Sequence, residues 1–275
     1  MSYYLQRVFQ RKVAVPFTFS FFLVALHVSA QTVRRNSTTK PAVAVSAPET
    51  KDPGTHLIGW TLKFNEEFDQ AALDYSKWLV HPPANLIPDG LQTWSPDAIE
   101  LFADQAHIVA RKSDSGYTSG FLTTFGTFAQ TYGRFEVRFH MPAGRGLEPL
   151  FQLLPIPNGD VPSIDVMNAT GGDPRKALFT NRWLEGNVDR DYSGSYQVDD
   201  LSKGFHIVAV EWDEEKIIWT VDGNERFQSF EGVPHQPMYL AVSLAVGTPK
   251  AGEPDAQTRF PAAFDIDYIR VFARP

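Results

Sequence analysis

The chain has 275 residues, of which 43% are hydrophobic and 13% aromatic, so it can bury the core of one large β domain or two small domains. Its formal net charge of −7 argues against nucleic acid or an anionic membrane as a partner and is compatible with a neutral ligand. Because the sequence contains no cysteine, disulfides and a lipid-anchored cysteine are excluded, and packing alone must hold the fold.

The N-terminal segment has the organisation of a secretory signal. Three basic residues precede an apolar run from Val13 to Val28, which ends at the small residues Ser29 and Ala30. This order favours a signal peptide over residues 1–30. The alternative is a membrane-spanning helix, which usually needs about 20 unbroken apolar residues. We therefore expect a secreted or periplasmic protein that has no membrane contact after the signal is cleaved.

The next segment differs in composition. Residues 31–56 are rich in Thr, Pro, Ala and Ser and show no apolar period, which predicts a flexible linker. Residues 57–275 contain no internal repeat and no second change of composition. They are therefore predicted to form a single domain, and we expect a monomer.

Alternation of polar and apolar residues dominates this domain. A period of two is typical of half-buried strands, and no stretch keeps a period of 3.6 for three turns. The charged residues 213–216 and the pair Asp222-Gly223 predict two hairpin turns. Many strands with closely spaced turns indicate an all-β antiparallel sandwich. Its clearest predicted strands are 133–141, 205–212, 217–221, 239–246 and 264–272.

Several motifs occur in an order that resembles glycoside hydrolase family 16, in particular its laminarinases and other β-glucanases. They are residues 60–69 (WTLKFNEEFD), 73–78 (LDYSKW), 117–120 (YTSG), 132–136 (YGRFE), 209–212 (AVEW), 221–223 (VDG) and 267–272 (DYIRVF). The resemblance implies a concanavalin-like β-jelly roll, in which two curved antiparallel sheets form a concave carbohydrate cleft. It also implies cleavage of internal β-1,3 or β-1,3/1,4 glucosidic bonds with retention.

The catalytic strand of that family resembles residues 163–168 (SIDVMN) here. The family has Glu, apolar, Asp, apolar, apolar, Glu, so the resemblance places Ser163 at the nucleophile and Asn168 at the acid/base, and leaves Asp165 as the surviving acid. A retaining glycosidase needs two carboxyl groups about 5–5.5 Å apart. Strand alternation with one bulge would bring positions 163, 165 and 168 to one face. No intact catalytic pair is therefore predicted.

Polar and aromatic side chains near the expected cleft are candidates for binding sugar. Aromatic rings stack on sugar rings, guanidinium groups form bidentate contacts, and amides can bind hydroxyl groups. Ordinary packing, ion pairs and loop contacts are the alternatives for each of them. The candidates are Gln92, Trp94, Arg134, Asn181, Arg182 and Trp183.

No cofactor is predicted to be required. The seven histidines are dispersed, which argues against a catalytic zinc site. The resemblance implies a structural calcium, for which Glu67 and Asp267 match the side-chain ligands, and hard oxygen donors suit Ca²⁺.

Three functions remain open from the sequence. The leading one is a catalytically inactive protein that binds a β-glucan or related polysaccharide. The first alternative is an active endo-acting β-glycosidase in which Glu148 or Glu185 replaces the lost acids. The second alternative is a cleft adapted to a protein partner.

Overall fold

The structure is a computed structural model that describes residues 57–84, 86, 89–157 and 159–275. The predicted signal peptide and linker lie outside the described residues. No helix within the described ranges is long and apolar enough to cross a membrane.

The described residues form sixteen β-strands and one short 3-10 helix at Pro96–Ala98. The strands are β1 (Thr61–Glu66), β2 (Gln92–Trp94), β3 (Ile99–Phe102), β4 (Gln105–Ser113), β5 (Gly116–Ser119), β6 (Phe121–Thr123), β7 (Gly133–His140), β8 (Leu147–Pro155), β9 (Ser163–Thr170), β10 (Asp173–Glu185), β11 (Val188–Gln197), β12 (His206–Trp212), β13 (Ile217–Val221), β14 (Asn224–Ser229), β15 (Met238–Val246) and β16 (Ala262–Ala273).

The strands build two sheets. The ten-stranded sheet has the order β14-β13-β12-β7-β16-β4-β5-β2, with β1 paired to β16 and β3 paired to β4. The six-stranded sheet has the order β11-β10-β9-β8-β15-β6. All pairings are antiparallel except that of β2 with β5. The predicted all-β sandwich is confirmed.

The alternation that predicted strands also decides which face of each strand is buried. On β7, Phe135, Val137 and Phe139 point into the space between the sheets and are fully buried. Arg134 and its alternate neighbours point outward and are only partly buried. Burial of such large apolar side chains contributes roughly 1.5–3 kcal/mol each, so this face drives the sheets together.

The six-stranded sheet is covered on both faces at its centre. Every residue of β15 is buried. The face toward the ten-stranded sheet joins the main core, whereas Tyr239 and Ala241 belong to a second, smaller cluster with Phe121 and Leu154. Trp94 packs against this second cluster. The cluster forms one wall of the cleft described below.

The β13–β14 turn confirms the predicted hairpin. Asp222 and Gly223 have φ angles of 49° and 74°, and two successive positive values are what a tight two-residue turn between right-twisted strands requires. Asn224 begins the next strand directly after this turn.

Candidate functional site

β9 brings three polar positions to one face of the six-stranded sheet. On its neighbour β8, Leu150 pairs with Asn168 and Gln152 pairs with Asp165, so three residues of β8 oppose four residues of β9. Val166 is the extra residue, and the resulting bulge returns Asn168 to the face of Asp165. The register therefore places Asp165 and Asn168 on the same face of β9.

Asp165 is the centre of a hydrogen-bonded group. Its Oδ1 accepts a hydrogen bond from Gln152 Nε2 at 2.7 Å, and its Oδ2 accepts one from Asn168 Nδ2 at 3.1 Å. Its backbone carbonyl accepts a third from Trp219 Nε1 at 2.8 Å, across the sandwich from β13. Both side-chain donors are amides, so they orient the carboxylate without exchanging a proton with it.

Two buried polar atoms beside Asp165 have no hydrogen-bond partner among the described residues. They are Ser163 Oγ and Asn168 Oδ1, and their residues are only 1% and 2% exposed. Ser163 faces Arg182 across the β9–β10 ladder. A buried polar atom without a partner costs free energy, and of these two residues Asn168 is the one that lines the cavity described next.

A cavity of about 290 Å³ opens above this face. Asp165, Asn168 and Gln152 line its floor, and Trp94 and Phe121 line one wall. The Trp94 ring meets Phe121 edge to face, with 5.5 Å between ring centroids. The charged residues around the cavity are Asp89, Glu148, Asp160, Arg182 and Lys250.

Glu148 is the most buried carboxylate that lines the cavity, at 4% exposure against 6% for Asp165. It accepts a hydrogen bond from the Thr248 hydroxyl, and its Oε1 lies 3.3 Å from Lys250 Nζ. These two contacts tie β8 to the segment that follows β15. The ammonium group partly neutralises this side of the cleft.

Comparison with known proteins decides the family. The model of glycosyl hydrolases family 16 matches residues 90–270, which spans both sheets and the cleft. The chain belongs to glycosyl hydrolase family 16.

Individual relatives agree with this assignment. The chain is 37% identical over 224 residues to endo-1,3-1,4-beta-glycanase EglC of Rhizobium meliloti (strain 1021), with 78% of this chain and 45% of the relative covered. It is 29% identical over 254 residues to a beta-glucanase of Rhodothermus marinus, with 78% and 85% covered. The match to endo-1,3-1,4-beta-glycanase ExsH of Rhizobium meliloti (strain 1021) is 38% identical over 162 residues, covering 57% of this chain. The chain spans only 45% and 34% of the two Rhizobium proteins.

The fold also matches solved family structures. The laminarinase catalytic domain from Thermotoga maritima MSB8 superposes with a TM-score of 0.68 at 29% identity, covering 78% of this chain and 98% of that domain. The laminarinase from Rhodothermus marinus superposes with a TM-score of 0.66 at 28% identity, covering 78% and 97%.

Of the six predicted sugar-binding residues, the structure places Trp94 and Arg182 in the family 16 cleft and the other four elsewhere. Gln92 is buried, and both ends of its amide are engaged by the backbone. Its Nε2 donates to Asp89 O at 2.9 Å, and its Oε1 accepts from Val246 N at 2.7 Å. Gln92 therefore anchors the loop before β2, and its prediction as a sugar ligand is wrong.

Asn181 and Trp183 lie on the face of β10 opposite to Arg182, because neighbouring strand residues alternate. Asn181 is fully buried and donates to Glu231 O at 2.6 Å. The Trp183 indole covers Gly232, where a Cβ atom would collide with the ring. Both side chains hold the segment after β14 against the sheet, so neither faces the cleft.

Arg134 lies on the outer face of the ten-stranded sheet. Its guanidinium pairs with Glu136 at 2.5 Å and with Glu211 at 3.1 Å. Arg134 therefore forms ion pairs, which was the alternative to sugar binding. Its predicted position near the cleft is wrong, because β7 belongs to the ten-stranded sheet and the cleft lies on the six-stranded sheet.

Glu185 is also outside the cleft. It is exposed at the end of β10 and pairs with Arg190 at 2.8 Å. Of the two acids offered as replacements, only Glu148 borders the cavity. No sequence pattern indicated Asp160 or Lys250, because both lie in connecting segments that the fold brings to the cleft.

The residues predicted to bind calcium do not fit that ion as they are arranged. The Glu67 carboxylate meets the Arg270 guanidinium through two hydrogen bonds, of 2.8 and 3.1 Å. Asp267 accepts one from Arg138 at 2.7 Å. Guanidinium groups thus occupy the oxygens that a cation would need. In the part of the chain that the structure describes, no three His, Cys, Asp or Glu side chains are grouped to hold a metal.

Proposed function

We propose that this chain is an exported family 16 protein that binds a β-glucan or related polysaccharide in its cleft without hydrolysing it. Curated relatives are named as glycanases and glucanases, which supports a polysaccharide as the ligand. The observation that carries the proposal is the set of side chains on the cleft face of β9: a serine, an aspartate and an asparagine.

The absence of hydrolysis follows from what those side chains can do. Retention requires a carboxylate nucleophile and a carboxylic acid that protonates the leaving oxygen, about 5–5.5 Å apart. The Asn168 amide cannot deliver that proton, and it is already bonded to Asp165. No base is hydrogen-bonded to the Ser163 hydroxyl, because its oxygen has no partner among the described residues.

The same cleft retains features that suit sugar binding. Ligand sites combine an apolar wall with a few convergent polar groups. Here Trp94 and Phe121 supply the wall. Asn168 Oδ1 is a buried acceptor that still lacks a donor among the described residues, and a sugar hydroxyl can supply one. Arg182 adds up to five donors at the other side.

The first prediction is that the purified protein releases no reducing ends from laminarin or mixed-linkage glucan above background. General acid/base catalysis alone contributes about 10²–10⁴-fold, and the covalent route is lost as well. A laminarinase of known activity serves as the positive control. Turnover on the order of 1 s⁻¹ or faster would contradict the proposal.

Hydrolysis by relocated acids is the second candidate function, and Glu148 is the observation in its favour, because its carboxylate borders the cavity. Glu148→Gln and Glu185→Gln form a matched pair, since Glu185 is exposed and outside the cleft. If activity is found, loss in the first variant alone would assign it to Glu148. Equal activity in both variants would exclude this candidate.

The second prediction concerns the aromatic wall. Trp94→Ala should weaken laminarin binding by about 1–3 kcal/mol, since a stacked aromatic contact with a sugar ring is lost. Isothermal titration calorimetry measures the change. Trp60→Ala is the control, because Trp60 precedes β1 and its ring lies 5.0 Å from the Arg274 guanidinium, away from the cleft. Unchanged affinity in folded Trp94→Ala would restrict Trp94 to packing.

Export to the periplasm or the medium remains part of the proposal. N-terminal sequencing of the protein recovered from those fractions should give a chain that begins at Gln31. A chain that retains Met1 in the cytoplasm would overturn it.

A further inference from the structure

A second cavity, of about 380 Å³, adjoins the cleft. The two cavities share Asn168 and Lys250, so they are neighbouring compartments of one surface. The floor of the second cavity crosses three strands. Asn168 of β9 pairs with Leu178 of β10, and Leu178 pairs with Ser195 of β11.

The charges of the second cavity differ from those of the first. Two lysines, Lys176 and Lys250, and one acid, Asp173, line it. Lys176 lies on the same face of β10 as Leu178, two positions away, and is exposed. No carboxylate of a described residue lies within ion-pair distance of its ammonium group. Lys250 is held at the boundary of the two cavities by Glu148.

Glu148 already pairs with Lys250, so the positive charge that this cavity offers is the ammonium group of Lys176, on a chain whose formal net charge is −7. An acidic protein repels anionic polymers in general, so an anionic group is attracted only where the local field is positive. Hydroxyl groups of Thr170 and Ser195 also line the cavity and can donate hydrogen bonds to an anion.

We infer that the second cavity receives an anionic substituent, a carboxylate or a sulfate ester, carried by the polysaccharide that occupies the first cavity. The inference rests on the proposed binding function of the cleft. A lysine ammonium is a compact point charge without the planar fork of arginine, so Lys176 accepts either anion. The experiment below therefore distinguishes a carboxylate from a sulfate ester.

The test uses the purified protein and three polymers with one backbone: laminarin, laminarin oxidised to carboxylate at C6, and sulfated laminarin. Calorimetry gives the affinity of each at about 50 mM and about 500 mM NaCl. At low salt, at least one anionic polymer should bind about fivefold more tightly than laminarin, and high salt should reduce the ratio to below about twofold. The polymer that shows the larger ratio identifies the anion.

Lys176→Gln should bring the ratio of anionic to neutral affinity close to one. Lys63→Gln is the matched control, because Lys63 is an exposed lysine on β1 of the other sheet, and it should keep the wild-type ratio. Equal affinity of wild type for all three polymers, or an equal fall in ratio for both variants, would overturn the inference while leaving glucan binding intact. Absence of binding to every polymer would instead overturn the proposed function, and the inference with it.

Discussion

Replacement of Trp219 by alanine is expected to lower the free energy of unfolding by about 3–5 kcal/mol, the usual cost of removing a large buried aromatic side chain. Its indole is fully buried between the two sheets and lies 5.2 Å from the Phe227 ring and 6.2 Å from the Phe179 ring. Its Nε1 also donates a hydrogen bond to the backbone carbonyl of Asp165 on β9 at 2.8 Å. This bond links the ten-stranded sheet directly to the strand beneath the cleft.

Urea denaturation followed by circular dichroism measures this loss. Trp219→Phe is the matched variant, because it retains one buried aromatic ring while removing the N–H donor and part of the indole volume. It should cost about 1–3 kcal/mol, the penalty for a buried carbonyl left without its partner. If both variants cost the same, the packing of the indole contributes little and the argument from burial is wrong.

Asp265→Asn is expected to lower the free energy of unfolding by about 3 kcal/mol near pH 6, since two charge-assisted hydrogen bonds are lost. Asp265 accepts from His107 Nδ1 at 2.7 Å and from His140 Nδ1 at 3.0 Å. The Nε2 atoms of the two rings face backbone carbonyls, of Phe102 and Ser202, each at 3.2 Å. Each ring therefore has acceptors at both nitrogens, which suits the doubly protonated imidazolium form.

The direction of the pH dependence follows from these contacts. The hydrogen bond to Asp265 raises the pKa of His140 and outweighs its burial. Burial lowers the pKa of His107, but the hydrogen bond to Asp265 and the Phe102 carbonyl outweigh it, so the pKa is raised. Glu100 adds to the rise for His107, whereas Lys203 opposes it for His140.

Because the pKa values of His107 and His140 are raised in the folded state, their protonation stabilises the fold. This stabilisation is fully present below the unfolded histidine pKa of about 6.5 and is lost as the pH rises through the folded-state pKa values. Burial raises the pKa of Asp265, but its two histidine partners outweigh that effect and lower it. Its own contribution is therefore lost only in acid, below about pH 4.

Thermal melts between pH 5 and 9 test the cluster. The wild-type melting temperature should fall above neutrality, and Asp265→Asn should flatten that slope. Asp114→Asn serves as the control, because Asp114 is exposed in the β4–β5 turn. A slope that is identical in wild type and Asp265→Asn would show that the histidines titrate without this partner.

Local patterns predicted much of the fold. The strands β7, β12 and β13 follow the alternation within two residues of the expected bounds, because period and burial face are properties of each strand alone. The β10–β11 hairpin was not predicted. β11 (VDRDYSGSYQ) is largely exposed at a sheet edge, so backbone pairing with β10 stabilises it without an apolar period.

The site was predicted less completely, since its side chains are selected by contacts distant in the chain. The expected convergence of Asp165 and Asn168 depends on one strand and its bulge, which a local pattern contains. By contrast, the amide of Gln92 is engaged by Val246, far away in sequence, and no local pattern contains that contact. Lys250 lies at the cleft because β15 pairs with β8, which brings its ammonium group to Glu148. That pairing also joins residues far apart in the sequence.

The bulge at Val166 also determines which kinds of genetic change this cleft can tolerate. Single substitutions can alter the polar groups at 163, 165 and 168 one at a time, because the strand path stays the same. Deletion of Val166 would remove the bulge and leave Asp165 and Asn168 two positions apart, a spacing that simple alternation keeps on one face. The chain can therefore change the chemistry of its cleft by point mutation, and Val166 is a position of β9 whose loss would keep Asp165 and Asn168 together on the cleft face.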